Sequence, residues 1–253
     1  REIRRLPGDR IGIMMPASAA ATILYIASLC AGKTPAMINW TLGTKLVSSC
    51  LETASVTAIV TSRALVSKLE ERGMAFDDIE DQFMYLEDMA GNIGRLRKLF
   101  ALAASRLNWS RLDRMAADCP EHAAVLFTSG SETTPKAVPL THRNILSNIA
   151  DVYECFTISS RDSLVGILPP FHSFGLSITT ILPLALSLRC VYTPDPTAGG
   201  RIAAIIGAYE GTLVAGTPTF LAGILRSGTP QQLSCLRLAV SGAEKCPKSL
   251  YDR

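Results

Sequence analysis

Short apolar runs alternate with stretches of helical spacing through most of this chain. The runs Ile11–Met15, Ala36–Ile38, Ala58–Thr61, Val125–Thr128, Leu164–Leu168, Cys190–Tyr192, Thr212–Ala215 and Leu236–Ser241 predict strands. Between most of them, apolar residues recur at helical intervals over Ser18–Ala31, Thr44–Ala54, Asn144–Tyr153, Leu176–Leu188, Ile202–Tyr209 and Pro218–Leu225. Thr217 before Pro218 adds a start signal, an N-cap hydroxyl followed by proline at the first helical position. This alternation predicts an α/β fold of parallel sheets flanked by helices, with ligands at the loops leaving the carboxyl ends of strands. No repeat, low-complexity tract or interdomain linker interrupts it.

Two uncharged stretches, Ile11–Gly32 and Ser163–Leu188, are long enough to cross a bilayer. Pro16, Ser18 and Gly32 divide the first into strand, helix and stop, and Pro169, Pro170, His172, Gly175 and Pro183 divide the second. Buried strands and helices therefore explain both. The rhythm breaks between Asp77 and Asp118, where Gly94–Trp109 reads as a basic amphipathic helix. Leu96, Leu99, Phe100, Ala103 and Leu107 share one face, Arg95, Arg97, Lys98 and Arg106 surround it, and no acid occurs from Gly91 to Leu112. The leading expectation is a surface helix packed on the domain. The alternative is peripheral contact of residues 94–109 with an anionic membrane, Trp109 lying among the headgroups.

Composition narrows the class. Of 253 residues, 48% are hydrophobic and 19% charged, which fits a globular chain with a large apolar interior. A formal net charge of +3 gives no electrostatic footprint for nucleic acid. Seven cysteines, an odd number without C-x-x-C spacing, point to a reduced, cytoplasmic protein. His122, His142 and His172 lie far from any cysteine pair, so no metal ligands are expected.

The segment Ala124–Asn148, AVLFTSGSETTPKAVPLTHRNILSN, carries the chemistry. A strand runs into a loop of hydroxyls and backbone N–H groups, Thr128, Ser129, Gly130, Ser131, Thr133 and Thr134, with Lys136 near its end. Those are the ingredients for holding polyphosphate: inward donors, little bulk and one compact cation. The common G-x-x-x-x-G-K-[ST] loop does not occur. Composition alone leaves a polar surface turn equally open.

FTSGSETTPKAV closely resembles the phosphate loop of the adenylate-forming superfamily, roughly TSGSTGxPKGV, which includes acyl-CoA synthetases, luciferases and peptide-synthetase adenylation domains. Three further segments resemble family motifs in the family's order. They are LCAGKTPAMINWT (Leu29–Thr41), PPFHSFG (Pro169–Gly175) and SGAEK (Ser241–Lys245). Glu132 in the loop, PPFHSFGL and SGAEK together look most like the acyl-acyl-carrier-protein synthetases, in which the ligase often follows a lysophospholipid acyltransferase domain.

The resemblance implies a two-step ligase using ATP and Mg2+. A carboxylate, such as a fatty acid, attacks the α-phosphorus to give an acyl-adenylate and pyrophosphate. A phosphopantetheine thiol on acyl-carrier protein or CoA then displaces AMP. It further implies that Thr128, Ser129, Gly130, Ser131, Glu132, Thr133 and Lys136 hold the phosphates, with Lys136 and His172 catalytic. Phe171, His172 and Phe174 would line the acyl pocket, and Gly242, Ala243 and Glu244 would lie against adenine.

Three departures stand out. Thr133 and Ala137 occupy positions where the family usually has glycine, which implies strain if either needs a positive φ. Glu132 adds negative charge near phosphates. The family's Y-G-x-T-E segment, with its magnesium-binding glutamate, the ribose-binding aspartate and the lysine-bearing C-terminal domain do not appear within residues 1–253. The chain is thus expected to be a partial N-terminal, AMP-binding domain, inactive alone, with Leu213, Val214, Leu238 and Val240 facing elements it lacks. A small-carboxylate or amino-acid adenylating enzyme, and a degenerate nucleotide-binding or interaction module, remain as alternatives.

Overall fold

The computed structural model describes residues 2–107, 114, 116, 118–128 and 135–251. They fall into two compact units, one comprising residues 1–15 and 22–142 and the other residues 16–21 and 143–253.

The first unit is built on a six-stranded sheet. Its strands are β1 (Arg10–Ile13), β2 (Thr34–Met37), β3 (Ile59–Thr61), β4 (Phe83–Tyr85), β5 (His122–Thr128) and β6 (Lys136–Thr141), in the order β4-β3-β1-β2-β5-β6. Neighbours run parallel except β5 and β6, which pair antiparallel. The sheet is thus parallel apart from that one edge pair, within the α/β arrangement that the sequence pattern predicts. Ile11, Ile13, Ala36, Met37, Ile59 and Val60 are almost fully buried, which explains why these strands read as unbroken apolar runs. Each large side chain among them stabilises the core by about 1.5–3 kcal/mol.

Strands β4 and β6 escaped the sequence reading for different reasons. β4 is three residues with Met84 exposed, embedded in a charged region. β6 contains Pro139, which argues against a central strand; here it sits opposite Val125 on the outermost strand, where a missing N–H can be tolerated. The helices Arg63–Glu70 and Leu86–Gly91 were also not anticipated.

Helix ends follow local chemistry. Ser18 Oγ accepts from the Ala21 N–H at 3.1 Å, starting α1 (Ala19–Cys30). Gly32, at φ +75°, lets the chain turn out of it. The next residue, Lys33, is buried, and its ammonium donates to the carbonyls of Leu6, at 2.8 Å, and Gly8. Buried Asn39 then accepts from the Thr41 N–H at 3.0 Å and the Thr41 hydroxyl at 2.6 Å. The LCAGKTPAMINWT motif is thus a structural unit, a helix stop, a tethered lysine, a core strand and an Asx turn.

The second unit contains a parallel sheet of β7 (Ser163–Gly166), β8 (Arg189–Tyr192), β9 (Leu213–Gly216) and β10 (Leu238–Ser241), ordered β10-β9-β7-β8. Helices Gly199–Ala208 and Pro218–Ser227 pack closely: a Cβ on Gly199 would overlap the backbone of Gly223. Thr217 Oγ1 accepts from the Phe220 N–H at 3.4 Å, the cap that the Thr-Pro pair predicts. Leu213 and Val214 are buried and Leu238 and Val240 half-buried, so the expectation of bare faces there is corrected.

The predicted helix Leu176–Leu188 is instead a π-helical run, Gly175–Ile181, followed by a single α turn, Leu182–Ala185. Pro183 has no N–H to offer the Thr179 carbonyl four residues back. That carbonyl accepts instead from the Tyr192 hydroxyl, at 3.4 Å. Gly166 makes room for this crossing: a Cβ there would stand 2.8 Å from Thr179 Cγ2 and 3.0 Å from the Tyr192 ring.

Neither long uncharged stretch crosses a membrane as a single element. Among the described residues no helix is long and apolar enough to do so. None of the seven cysteines is in a disulfide. The basic amphipathic pattern forms a helix over Arg95–Leu107; Asn108 and Trp109 lie outside the described residues. Its apolar face is not packed on the domain. Leu96, Leu99 and Phe100 are 72%, 62% and 74% exposed, which corrects the leading expectation.

Candidate functional site

Within the first unit, β5 and β6 form a hairpin whose connecting residues are 129–135. Thr128 and Lys136 are cross-strand partners at its mouth, and both are exposed. The pairing register thus sets a hydroxyl and an ammonium side by side where the loop leaves the sheet. Lys136, expected near the end of the loop, is the first residue of the strand that follows it. Ser129, Gly130, Ser131, Glu132 and Thr133 lie outside the described residues.

Ala137 settles one departure from the family pattern. It is paired with Phe127 in the β5–β6 ladder and is not among the residues with positive φ. Extended backbone accepts alanine without strain, so the missing glycine costs nothing at this position. Thr133 lies outside the described residues.

In the second unit, the PPFHSFG and SGAEK segments come together. A Cβ on Gly242 would stand 2.8 Å from Phe174 Cζ and 2.9 Å from Cε1, so the aromatic ring lies directly on that glycine. The Gly242 N–H donates to the Gly216 carbonyl at 3.1 Å, fixing the turn to the carboxyl end of β9. Ala243 follows at φ +66°, in the left-handed region that disfavours a side chain. Such strain gathers at ligand-binding turns. Glu244 is exposed.

The histidine segment is as tightly constrained. The Leu176 N–H donates to the His172 carbonyl at 2.8 Å, and the His172 N–H to Pro169 at 3.3 Å. Gly175 cannot be replaced without movement, since a Cβ there would overlap the Pro169 carbonyl. Buried Phe171 meets the His172 ring edge-on, centroids 4.6 Å apart. Although the His172 side chain reaches solvent, the protein around the ring desolvates it and lowers its pKa below the ordinary histidine value. That shift favours the neutral imidazole at pH 7.

Two hydroxyls missed by the sequence reading lie at the same edge of this sheet. Thr193 Oγ1, one residue past β8, and Ser241 Oγ, the last residue of β10, are buried without a hydrogen-bond partner. Ser241 carried a signal through its motif. Thr193 carried none beyond its place after a strand. Among the described residues no group of three or more His, Cys, Asp or Glu side chains is placed to hold a metal ion, so they supply no carboxylate cage for the implied magnesium.

Comparison with known proteins matches this geometry to a family. A profile described as "AMP-binding enzyme" aligns with residues 5–253. A long-chain-fatty-acid–CoA ligase of Bacillus subtilis is 26% identical over 97% of this chain and 48% of its own length. O-succinylbenzoate coenzyme A synthetase of Bacillus subtilis, solved with AMP, superposes with a TM-score of 0.71 at 17% identity, covering 99% of this chain and 61% of that one. ATP-bound MatB of Rhodopseudomonas palustris gives 0.69 at 20% identity, covering 98% and 48%. These likenesses establish the α/β fold of adenylate-forming ligase N-terminal regions. The chain spans about half the length of the curated relative it matches along nearly all of its residues.

Proposed function

This chain belongs to the AMP-binding enzyme family, and from that premise we propose that it forms the N-terminal part of a ligase that activates a carboxylate as its acyl-adenylate and passes the acyl group to a phosphopantetheine thiol. The observation that carries the reading is the pairing of Thr128 with Lys136 at the mouth of the TSGSETTPK loop.

In the first step a carboxylate oxygen bonds to the α-phosphorus of ATP, and the bond to the β-phosphate bridge breaks. The Lys136 ammonium and the Thr128 hydroxyl serve the charge leaving on pyrophosphate. In the second step the thiolate attacks the acyl carbon, and AMP departs with the former carboxylate oxygen. Neutral His172 offers a hydrogen bond beside the reacting carboxylate without competing with it as a charge. The Gly242–Ala243–Glu244 turn, with Phe174 lying on its glycine, provides flat backbone for adenine.

The substrate class is fatty acid, by analogy with the named activity of the Bacillus relative. The loop glutamate and the PPFHSFGL and SGAEK sequences favour acyl-carrier protein as acceptor, whereas the relative's name favours CoA. The test is carboxylate-dependent ATP–pyrophosphate exchange by the full-length protein, followed by acyl transfer to each acceptor. Lys136→Ala should lower exchange about 10²–10³-fold, the usual cost of one lost electrostatic donor, and should slow thioester transfer less. Equal loss in both half-reactions, or no exchange by the unaltered protein with any carboxylate, would overturn the reading.

A further inference from the structure

Helix Arg95–Leu107 is the clearest part of the described molecule that the proposed chemistry leaves unused. Spacing of 100° per residue puts Leu96, Leu99, Phe100 and Ala103 on one arc. Arg97 flanks that arc on one side and Arg95 on the other, while Lys98 lies near the opposite face. All seven are exposed, so the apolar arc rests on nothing among the described residues. Burying three large apolar side chains is normally the reason such a helix forms at all. This helix keeps its pattern and shows the pattern to solvent.

We propose that this helix is a docking surface for an anionic lipid bilayer, lying in the plane of the interface with Leu96, Leu99 and Phe100 inserted below the headgroups. Two features favour lipid over a protein groove. Arg95 and Arg97 stand at the borders of the apolar arc, where long side chains can bury their stems and keep their charges at headgroup level. The field is also one-sided. No acid occurs from Gly91 to Leu112, and Arg97 meets Glu2 at 3.5 Å, a carboxylate it shares with Arg5 at 3.3 Å. The helix is far shorter than a membrane span, so it can lie on a bilayer but not cross one. The inference does not depend on the ligase reading, because it concerns a different surface.

The test is co-sedimentation of the full-length protein with vesicles of phosphatidylcholine alone and of phosphatidylcholine with about 30% phosphatidylglycerol. Binding should require the anionic lipid and weaken steeply between 0.1 and 1 M salt, where the Debye length shrinks from about 10 Å to about 3 Å. Each interfacial cation contributes roughly a factor of five, so the double variant Arg95→Gln, Arg97→Gln should bind about 25-fold more weakly. Leu99→Ser with Phe100→Ser should release the protein while leaving its circular dichroism and pyrophosphate exchange intact. Equal binding to both vesicle types would overturn the proposal. So would undiminished binding by the variants. So would a helix that proves to be covered by a second copy or by carrier protein, seen as a variant-sensitive change in mass by light scattering without vesicle binding.

Discussion

The two edges of the four-stranded sheet make opposite use of polar groups. At the amino edge, Asp162 is buried yet fully engaged. Its carboxylate accepts from the Ser159 N–H at 2.8 Å, the Thr212 hydroxyl at 2.7 Å and Arg237 at 2.8 and 3.2 Å. Arg237 also donates to the Thr157 carbonyl at 2.8 Å, and Thr212 accepts from the Ser163 N–H at 3.0 Å. One carboxylate thus ties together the segments entering β7, β9 and β10; the Ser163 hydroxyl, without a partner, is the exception there. At the carboxyl edge, Thr193 and Ser241 are unsatisfied, Ala243 is strained and Phe174 lies on a glycine. Stability is concentrated where no ligand is expected, and the strained, unsatisfied groups lie where parallel sheets bind ligands.

That contrast can be broken by substitution. Gly175→Ala should have the largest effect, about 3 kcal/mol of stability, because the Pro169 backbone must move to admit the methyl group. Urea unfolding would measure it, and displacement of His172 should abolish exchange even below the unfolding midpoint. Wild-type stability with normal exchange would show that the PPFHSFG turn is not the constrained element inferred here.

Asp162→Ala should come next, at about 2 kcal/mol, with activity per folded molecule unchanged. Burial pushes the Asp162 pKa up, but the Ser159 N–H, Thr212 and Arg237 outweigh it and hold the pKa below the ordinary carboxylate value. A depressed carboxylate stabilises the fold above its unfolded pKa, near 3.8, and loses that contribution as pH falls through the folded value. The deficit of the variant should therefore be full at neutral pH and shrink below about pH 4. A deficit independent of pH would mean that packing, not charge, holds this edge.

Ala243→Gly should act in the opposite direction. Relief of the left-handed alanine, partly offset by glycine's extra freedom in the unfolded chain, should stabilise by roughly 0.5 kcal/mol. If the strain serves adenine, ATP affinity measured by calorimetry should fall as stability rises. The smallest effect concerns His172. Its ring should titrate below the ordinary histidine value in an NMR pH series, and acidification below about 6.5 should cost stability as the unfolded state takes up the proton first. A value at or above the ordinary one would sink the case for a neutral imidazole.

The sequence by itself determined the order of elements and the chemical content of the site. Eight apolar runs became strands, most of them because strands buried on both faces must be apolar throughout; the edge strands Arg189–Tyr192 and Leu238–Ser241 are only partly covered, and the Thr217-Pro218 cap held because capping is decided within four residues. The motifs single out Thr128, Lys136, His172 and Gly242 as candidates without reference to geometry. Tertiary structure decided what depends on a partner far along the chain. Pro139 argued locally against a strand, yet β5 supplies the pairing that makes one. A helix pattern at Leu176–Leu188 became a π-run because Pro183 leaves a carbonyl open and Tyr192, on another strand, fills it. Amphipathic spacing at Arg95–Leu107 fixed a helix but not what its apolar face would meet, since a hydrophobic stripe records only that something apolar is to cover it, and the described chain supplies no such cover.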